Sequence, residues 1–450
     1  MVVQRRSTTS TFLKLPPQLR HRCTVRRGMT TLGRHWVAGT SSDLRTALKS
    51  REFMAIWLAG VQSVLGDQIA RIALALLVFG RTGSAALTAL TYALTMLPNI
   101  IGGLVLARLA DRFPRRTVMI ACDLTRMVLV AAMAWPGLSL PALASLVVAA
   151  QLLKAPFDGA QSASVNEVLT GRAYPAGDEL RQLSAQVAGL IGFGAGGLIV
   201  VAIGPQTALL VNAVTFGVSA VLLRAGVAAR PAPHSSDSAT AGGRPSPWKV
   251  LGGWAVLAKD SRLPVLLGAA CLAGLSTVVP EGLAAPWVAE SHAPTAMVGV
   301  VMAADPVGFV LGGLVLRRLS METRLKVFGA LVVATNLLLV PYLVHPPLWV
   351  AMLLVTGSAM CSSYMITASP TFNRLVPNSV RGQAAGFARS AITAAQGAGV
   401  AVGGVLAQGL GSAAFAIGAM SAVGTVIAAV IAVSWARVAE PVKIAAMVTA

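Results

Sequence analysis

The chain has 450 residues, 55% of them hydrophobic and 12% charged, with a mean hydropathy of +0.72 and a net charge of +20. Soluble domains carry about 25% charged residues, so the composition excludes a string of ordinary soluble domains. The four cysteines, Cys23, Cys122, Cys271 and Cys361, are far apart, with no CxxC and only His21 beside Cys23, which argues against both a zinc site and a disulfide framework.

Residues 1–50 are rich in Arg, Ser and Thr, with Asp43 the sole acid; they read as a disordered basic tail. Six apolar runs follow, at 54–80, 84–107, 117–135, 138–157, 184–204 and 206–224. About 20 apolar residues cross the hydrocarbon layer as a helix, and a helix satisfies its own backbone in lipid. The runs are too long and continuous for barrel strands of about ten alternating residues. The segment 226–262 begins as a Pro/Ser/Ala/Gly-rich linker. It ends in "PWKVLGGWAVLAKDSR", where Trp248, Trp254 and Leu257 mix with Lys249, Lys259 and Arg262 as in a helix lying at an interface. Six more runs follow, at 263–286, 296–316, 325–344, 347–369, 384–409 and 412–435, before a short tail at 437–450. The expected fold is an all-α membrane protein of twelve transmembrane helices, one six-helix bundle over 51–225 and another over 263–436.

The cations fix the expected topology. With both termini in the cytoplasm, 32 of the 36 Lys and Arg fall in tails and loops on that side, and Arg81 alone falls outside. This is the positive-inside pattern, so the charge reflects topology and anionic lipid. Nucleic acid is not an expected partner. The expected location is the plasma membrane.

The halves resemble each other. "GGLVL" occurs at 102–106 and 312–316, and "GFGAGGLIVVAIG" (192–204) matches "GVAVGGVLAQGLG" (399–411), offsets of 210 and 207. Two matches at nearly one offset indicate duplication, the two-halves plan of many secondary transporters.

The loop after the second run reads "ARLADRFPRR". It resembles the major facilitator superfamily's Gly-x-Leu-Ala-Asp-Arg-x-Gly-Arg-Arg through Leu109, Ala110, Asp111, Arg112, Arg115 and Arg116, while Ala107 and Pro114 stand where that family has glycine. "NAVTFGVSAVLLR" (212–224) and "LVPNSVRGQAAGFARS" (375–390) are similar to the drug- and siderophore-exporting branch. The resemblance implies a cytoplasmic latch between halves, with Asp123 and Arg126 as further partners of Asp111. The alternative is that these arginines only enforce topology and bind headgroups.

Ionisable groups at membrane depth cost several kcal/mol unless paired or hydrated, and are default functional candidates. Ser63, Asp67 and Arg71 recur at i, i+4 and i+8 on one helix face. They are expected to line a cavity, Asp67 taking a proton or pairing with Arg71. Asp305 precedes Pro306 in the eighth run, where the proline frees the Met302 carbonyl; Glu281 follows Pro280 in the seventh. Both are candidate coupling groups. Lys154 either contributes or snorkels. Trp287, Trp349 and Trp435 are placed at helix ends as belt residues. Gly192, Gly196, Gly197, Gly403 and Gly404 are expected to let helices approach closely, and "GLIGFGAGG" partly resembles an antiporter motif.

No phosphate-binding loop, H-E-x-x-H or nucleophile elbow occurs in the sequence, so ATP-driven pumping and catalysis are not expected. The reading is a monomeric, proton-coupled secondary transporter without a cofactor, energised by the proton gradient. Its expected action is export of a small hydrophobic or amphipathic compound such as a drug, secondary metabolite or siderophore. The alternatives are an importer or facilitator of the same fold, and a membrane sensor that moves nothing.

Overall fold

A computed structural model describes residues 43–106, 112–171, 173–231, 260–377 and 380–438. Among them there are helices and turns and no strand. Twelve helical passages follow one another within these residues. The first six are α1 (Arg51–Thr82), α2 (Ala85–Leu94 continued by Leu97–Val105), α3 (Arg115–Met133), α4 (Leu140–Leu152 continued by Lys154–Val168), α5 (Ala173–Ile203) and α6 (Pro205–Gly226). The second six are α7 (Arg262–Thr277, Val279–Gly282 and Ala284–Glu290), α8 (Met297–Leu316), α9 (Met321–Leu337 with the 3-10 turn Val340–Val344), α10 (Leu348–Ser362 continued by Met365–Leu375), α11 (Arg381–Leu410) and α12 (Ala413–Val438).

Eleven passages are long and apolar enough to cross a membrane. The exception is α3, whose 19 residues include Arg115, Arg116, Asp123 and Arg126. Turn chemistry sets the boundaries. Ser50 caps α1 by accepting from Phe53 N, and Gly83 ends it at φ 60°, where a side chain would be strained. Ser84 then caps α2.

Two expectations are corrected. Residues 43–49 are helical and Ala47 is fully buried, packed with Phe53 and Ile56 of α1; apolar contact orders the end of the supposed tail. The expected loop at 158–183 is mostly helix, because α4 runs to Val168 and α5 starts at Ala173. Its polar residues extend the helices beyond the apolar stretch rather than ending them. The interfacial helix expected before Arg262 lies outside the described residues.

Packing follows the duplication. In the first half α6 rests on α1 and α3, and α5 on α1; in the second, α12 rests on α7 and α9, and α11 on α7. The halves meet through α2 against α11 and α5 against α8, and these four helices carry the repeated sequences. Equivalent glycines make equivalent contacts. A Cβ on Gly102 would lie 2.4 Å from Leu152 O of α4, and one on Gly312, 210 residues on, 2.2 Å from Met360 O of α10. Between halves, a Cβ on Gly197 would meet Ala296 O at 2.5 Å, and one on Gly404 would meet Ala89 Cβ at 2.4 Å. Small residues thus let backbones touch. Gly192, Gly196 and Gly403 serve similar approaches to Gln68, Ile72 and Val279.

The helix ends sort into two sets. Arg115, Arg116, Arg224, Arg262, Arg317, Arg324 and Arg381 gather at one, called the basic end below. The cross-half contacts of Gly197 and Gly404, and the Ser84 Oγ–Gln408 Oε1 hydrogen bond of 2.9 Å, lie near the opposite end.

Candidate transport site

The first half holds a buried ionic cluster. Asp67 on α1 accepts from Arg126 Nη2 of α3 at 3.2 and 3.3 Å, and Lys154 Nζ of α4 lies 3.7 Å away. Arg126 is 2% exposed and its guanidinium sits 4.0 Å from the Phe216 ring centroid of α6, a cation–π contact that holds it flat. Lys154 also reaches Asp158, one turn on, at 3.9 Å. A cavity of about 30 Å³ lies beside the cluster, with Asp67, Arg71, Arg126, Gln151 and Asn212 in its wall. It has room for about one water.

One expectation changes here. Asp67 and Arg71 do not form the salt bridge their i, i+4 spacing allows; Asp67 takes Arg126 and Lys154 instead. Arg126 and Asp123, expected as further partners of Asp111, sit in α3, and Asp111 lies outside the described residues. Both are buried inside α3, at 2% and 0% exposure, because the face of α3 that bears them packs against α6 and α4. Lys154 has its ammonium near two carboxylates.

A second cluster joins the halves. Tyr92 of α2 donates its hydroxyl to Glu281 Oε2 of α7 at 2.5 Å. Arg71 lies over the Tyr92 ring, 5.9 Å from its centroid, and within electrostatic reach of Glu281 and Asp67. Asp305 of α8 is the next carboxylate beside Glu281. The backbone explains how an acid comes to be here. Pro280 and Pro286 interrupt α7, which breaks at Val278 and again at Leu283. The intervening turn Val279–Gly282 is buried, with Glu281 8% exposed. Pro306 inside α8 follows Asp305. Ser63, a turn before Asp67, is buried at 6% exposure.

Tyr92 is a site residue that the sequence did not single out: buried at 2% exposure, it is the donor of the cross-half bond. The available signal was its hydroxyl, since a buried tyrosine OH needs a partner. For Lys154 it was Asp158 at i+4.

At the basic end, Asp111 lies outside the described residues. Arg115 pairs with Glu167 and donates to Ala163 O of α4 at 3.1 Å, and Arg116 donates to Arg224 O of α6 at 2.5 Å. Arg112 sits 6.0 Å from the ring centroid of its neighbour Phe113. The two motif arginines thus tie first-half helices together. Two of the three belt tryptophans are also corrected. Trp349 is 67% exposed, but Trp287 is 1% and Trp435 3% exposed. Trp287 packs on Tyr342, with ring centroids 5.2 Å apart, and Trp435 Nε1 donates to Leu325 O. Their helices turn them inward, where the ring buries more area than at an interface. Glu290, near the opposite end, accepts from Ala413 N and Ser412 Oγ and so caps α12.

The larger cavity, about 220 Å³, lies in the second half toward the basic end. Leu266, Met365, Phe372 and Ile392 give it apolar walls, and Asn373 and Arg389 are its polar members. A mostly apolar cavity with a few polar groups suits a small organic molecule.

Comparison with known proteins accords with this architecture. Residues 56–341 match the model of the Major Facilitator Superfamily. A relative in Bacillus subtilis (strain 168), the uncharacterized MFS-type transporter YkuC, is 25% identical over 179 residues, which is 39% of this chain and 42% of that protein. The chain thus aligns with under half the length of that relative. Among solved structures, a POT family transporter in complex with 5-aminolevulinic acid is similar at TM-score 0.68 and 11% identity, over 87% of this chain and 97% of that one. A mutant of the nucleoside transporter NupG is similar at 0.62 and 14%, over 87% and 100%. A bacterial homologue of the human lysosomal transporter Spinster is similar at 0.62 and 14%, over 88% and 95%. At such identities these likenesses show the fold alone. With well over half its length matched by one family model, the chain belongs to the Major Facilitator Superfamily and is a membrane transporter rather than an enzyme.

Proposed function

We propose that this transporter is a proton-coupled antiporter. It exports a small hydrophobic or amphipathic compound across the plasma membrane, with its basic end and both termini in the cytoplasm. The charge distribution supports the orientation, and the apolar 220 Å³ cavity supports the class of cargo.

The observation that carries the reading is the bond from Tyr92 to Glu281. It joins the halves, one side is a titratable acid, and Arg71 flanks it. A hydrogen bond to a carboxylate is about twice as strong as one between neutral groups. A proton on Glu281 converts it to a neutral bond and removes the attraction to Arg71. Protonation therefore loosens one of the contacts that hold the halves together, and Asp305 offers a second acid beside it. Asp67 enters as a fixed charge held by Arg126 and Lys154. The motif arginines keep the first half rigid as it moves.

Inverted membrane vesicles with an imposed pH gradient test this, using an apolar fluorescent dye as probe. Dye uptake should depend on the gradient, and Glu281→Gln should abolish that dependence. Uptake indifferent to the gradient would point to a facilitator, and gradient-driven loss of dye from the vesicles to an importer. Either sinks the proposal.

A further inference from the structure

Asp123 has no part in the scheme above, yet it is a fully buried acid, 0% exposed, in the middle of α3. Neither of its carboxylate oxygens has a hydrogen-bond partner. An ionised carboxylate in that position costs several kcal/mol. The groups around it do not offset this. On its own helix, Cys122 is neutral, and Arg126 one turn on commits its Nη2 to Asp67 while its Nε has no partner. From α6, Ser219 faces it without a bond of ordinary geometry. From α4, Lys154 is engaged by Asp67 and Asp158. From α1, Asp67 brings a charge of the same sign.

We propose that Asp123 is a proton-binding site, neutral in this conformation, whose proton decides which of two carboxylates holds Arg126. With the proton on a carboxyl oxygen of Asp123, the guanidinium rests on Asp67. When that proton leaves for water, Asp123 becomes the unpaired charge beside Arg126, and Asp67 still has Lys154. Arg126 then turns to its i−3 neighbour, and Asp67 is released toward the small cavity it lines with Arg71. The charge of the cluster falls by one unit. This deepens the proton coupling argued above, but its test needs neither substrate nor transport direction.

The full chain in lipid nanodiscs, followed by infrared difference spectroscopy through a pH titration, reads the site directly. Asp123→Asn should remove one protonated-carboxyl band and leave the melting temperature unchanged or raised, since the amide resembles the neutral acid. Asp67→Asn should remove the same band, because Arg126 is then free to hold Asp123 ionised. Glu281→Gln should leave it in place. The proposal is overturned if Asp123→Asn keeps every carboxyl band, if it melts as low as Arg126→Ala, or if the band responds to sodium at fixed pH. If the band behaves as stated while vesicle transport ignores the gradient, the proton site stands and the coupled-export reading falls.

Discussion

The two halves share a backbone plan but differ in what they bury. Where α1 and α3 meet, Asp67 and Arg126 form an ion pair. An offset of 210 residues from Arg126 leads to Asn336 on α9, and that residue is hydrogen bonded to Ser276 of α7 at 2.6 Å. The corresponding place in the second half is thus held by a neutral bond. The first half also buries Asp123 and engages Lys154, whereas two acids of the second half, Glu281 and Asp305, sit beside groups of the first. The difference teaches that duplication preserved the glycine contacts, which set how helices approach, and freed the polar positions. One half became a charged framework and the other supplies acids at the boundary.

Removing one partner of each equivalent pair sharpens this most. Arg126→Ala should cost about 3–5 kcal/mol, because it leaves a buried charge short of its partner. Asn336→Ala should cost about 1–3 kcal/mol, the penalty of one unsatisfied neutral group. Thermal unfolding in one detergent compares them, and equal losses would mean the halves are not differentiated as described. At the boundary, Tyr92→Phe should cost about 1.5–3 kcal/mol of cross-half contact and flatten the pH dependence of dye transport; an unchanged profile would remove Glu281 from coupling.

The shared glycines should respond alike. Gly197→Val and Gly404→Val each place atoms where a backbone or Ala89 already lies, at about 1–3 kcal/mol. Cross-linking of a Ser84→Cys, Gln408→Cys pair should slow in both, and a response in only one would break the equivalence. The smallest effect is at the surface. Hydrogen bonds from Arg262, the nearest at 2.7 Å, hold the Asp260 carboxyl below the usual carboxylate range against the opposing effect of burial. That stability is present above the carboxylate range and lost as pH falls through it. Asp260→Asn should therefore cost under about 1 kcal/mol at neutral pH and nothing in acid, as a pH series of melting curves would show.

Much of the fold was legible in the chain. Every expected span corresponds to a helical passage, and the repeats at offsets of 207 and 210 fall on the four helices that bridge the halves. The site was legible only as an inventory. Asp67, Glu281 and Asp305 stood out because charge is scarce at membrane depth, but Arg71, the partner suggested for Asp67, is not the one it takes. Helical periodicity constrains neighbours three or four residues apart, and the bonds that matter join residues 59 and 189 apart.

The sequence by itself determined that this protein lives in lipid, that its helices come in two sets of six, and that it is two copies of one plan. Those properties follow from segment length, hydropathy and charge placement, which each segment expresses alone. Tertiary structure alone decided which cation answers which carboxylate, that Tyr92 is a donor, and that Asp123 is left without one. A buried charge takes whichever partner packing brings within about 3–4 Å, and helix packing depends on all the surfaces together.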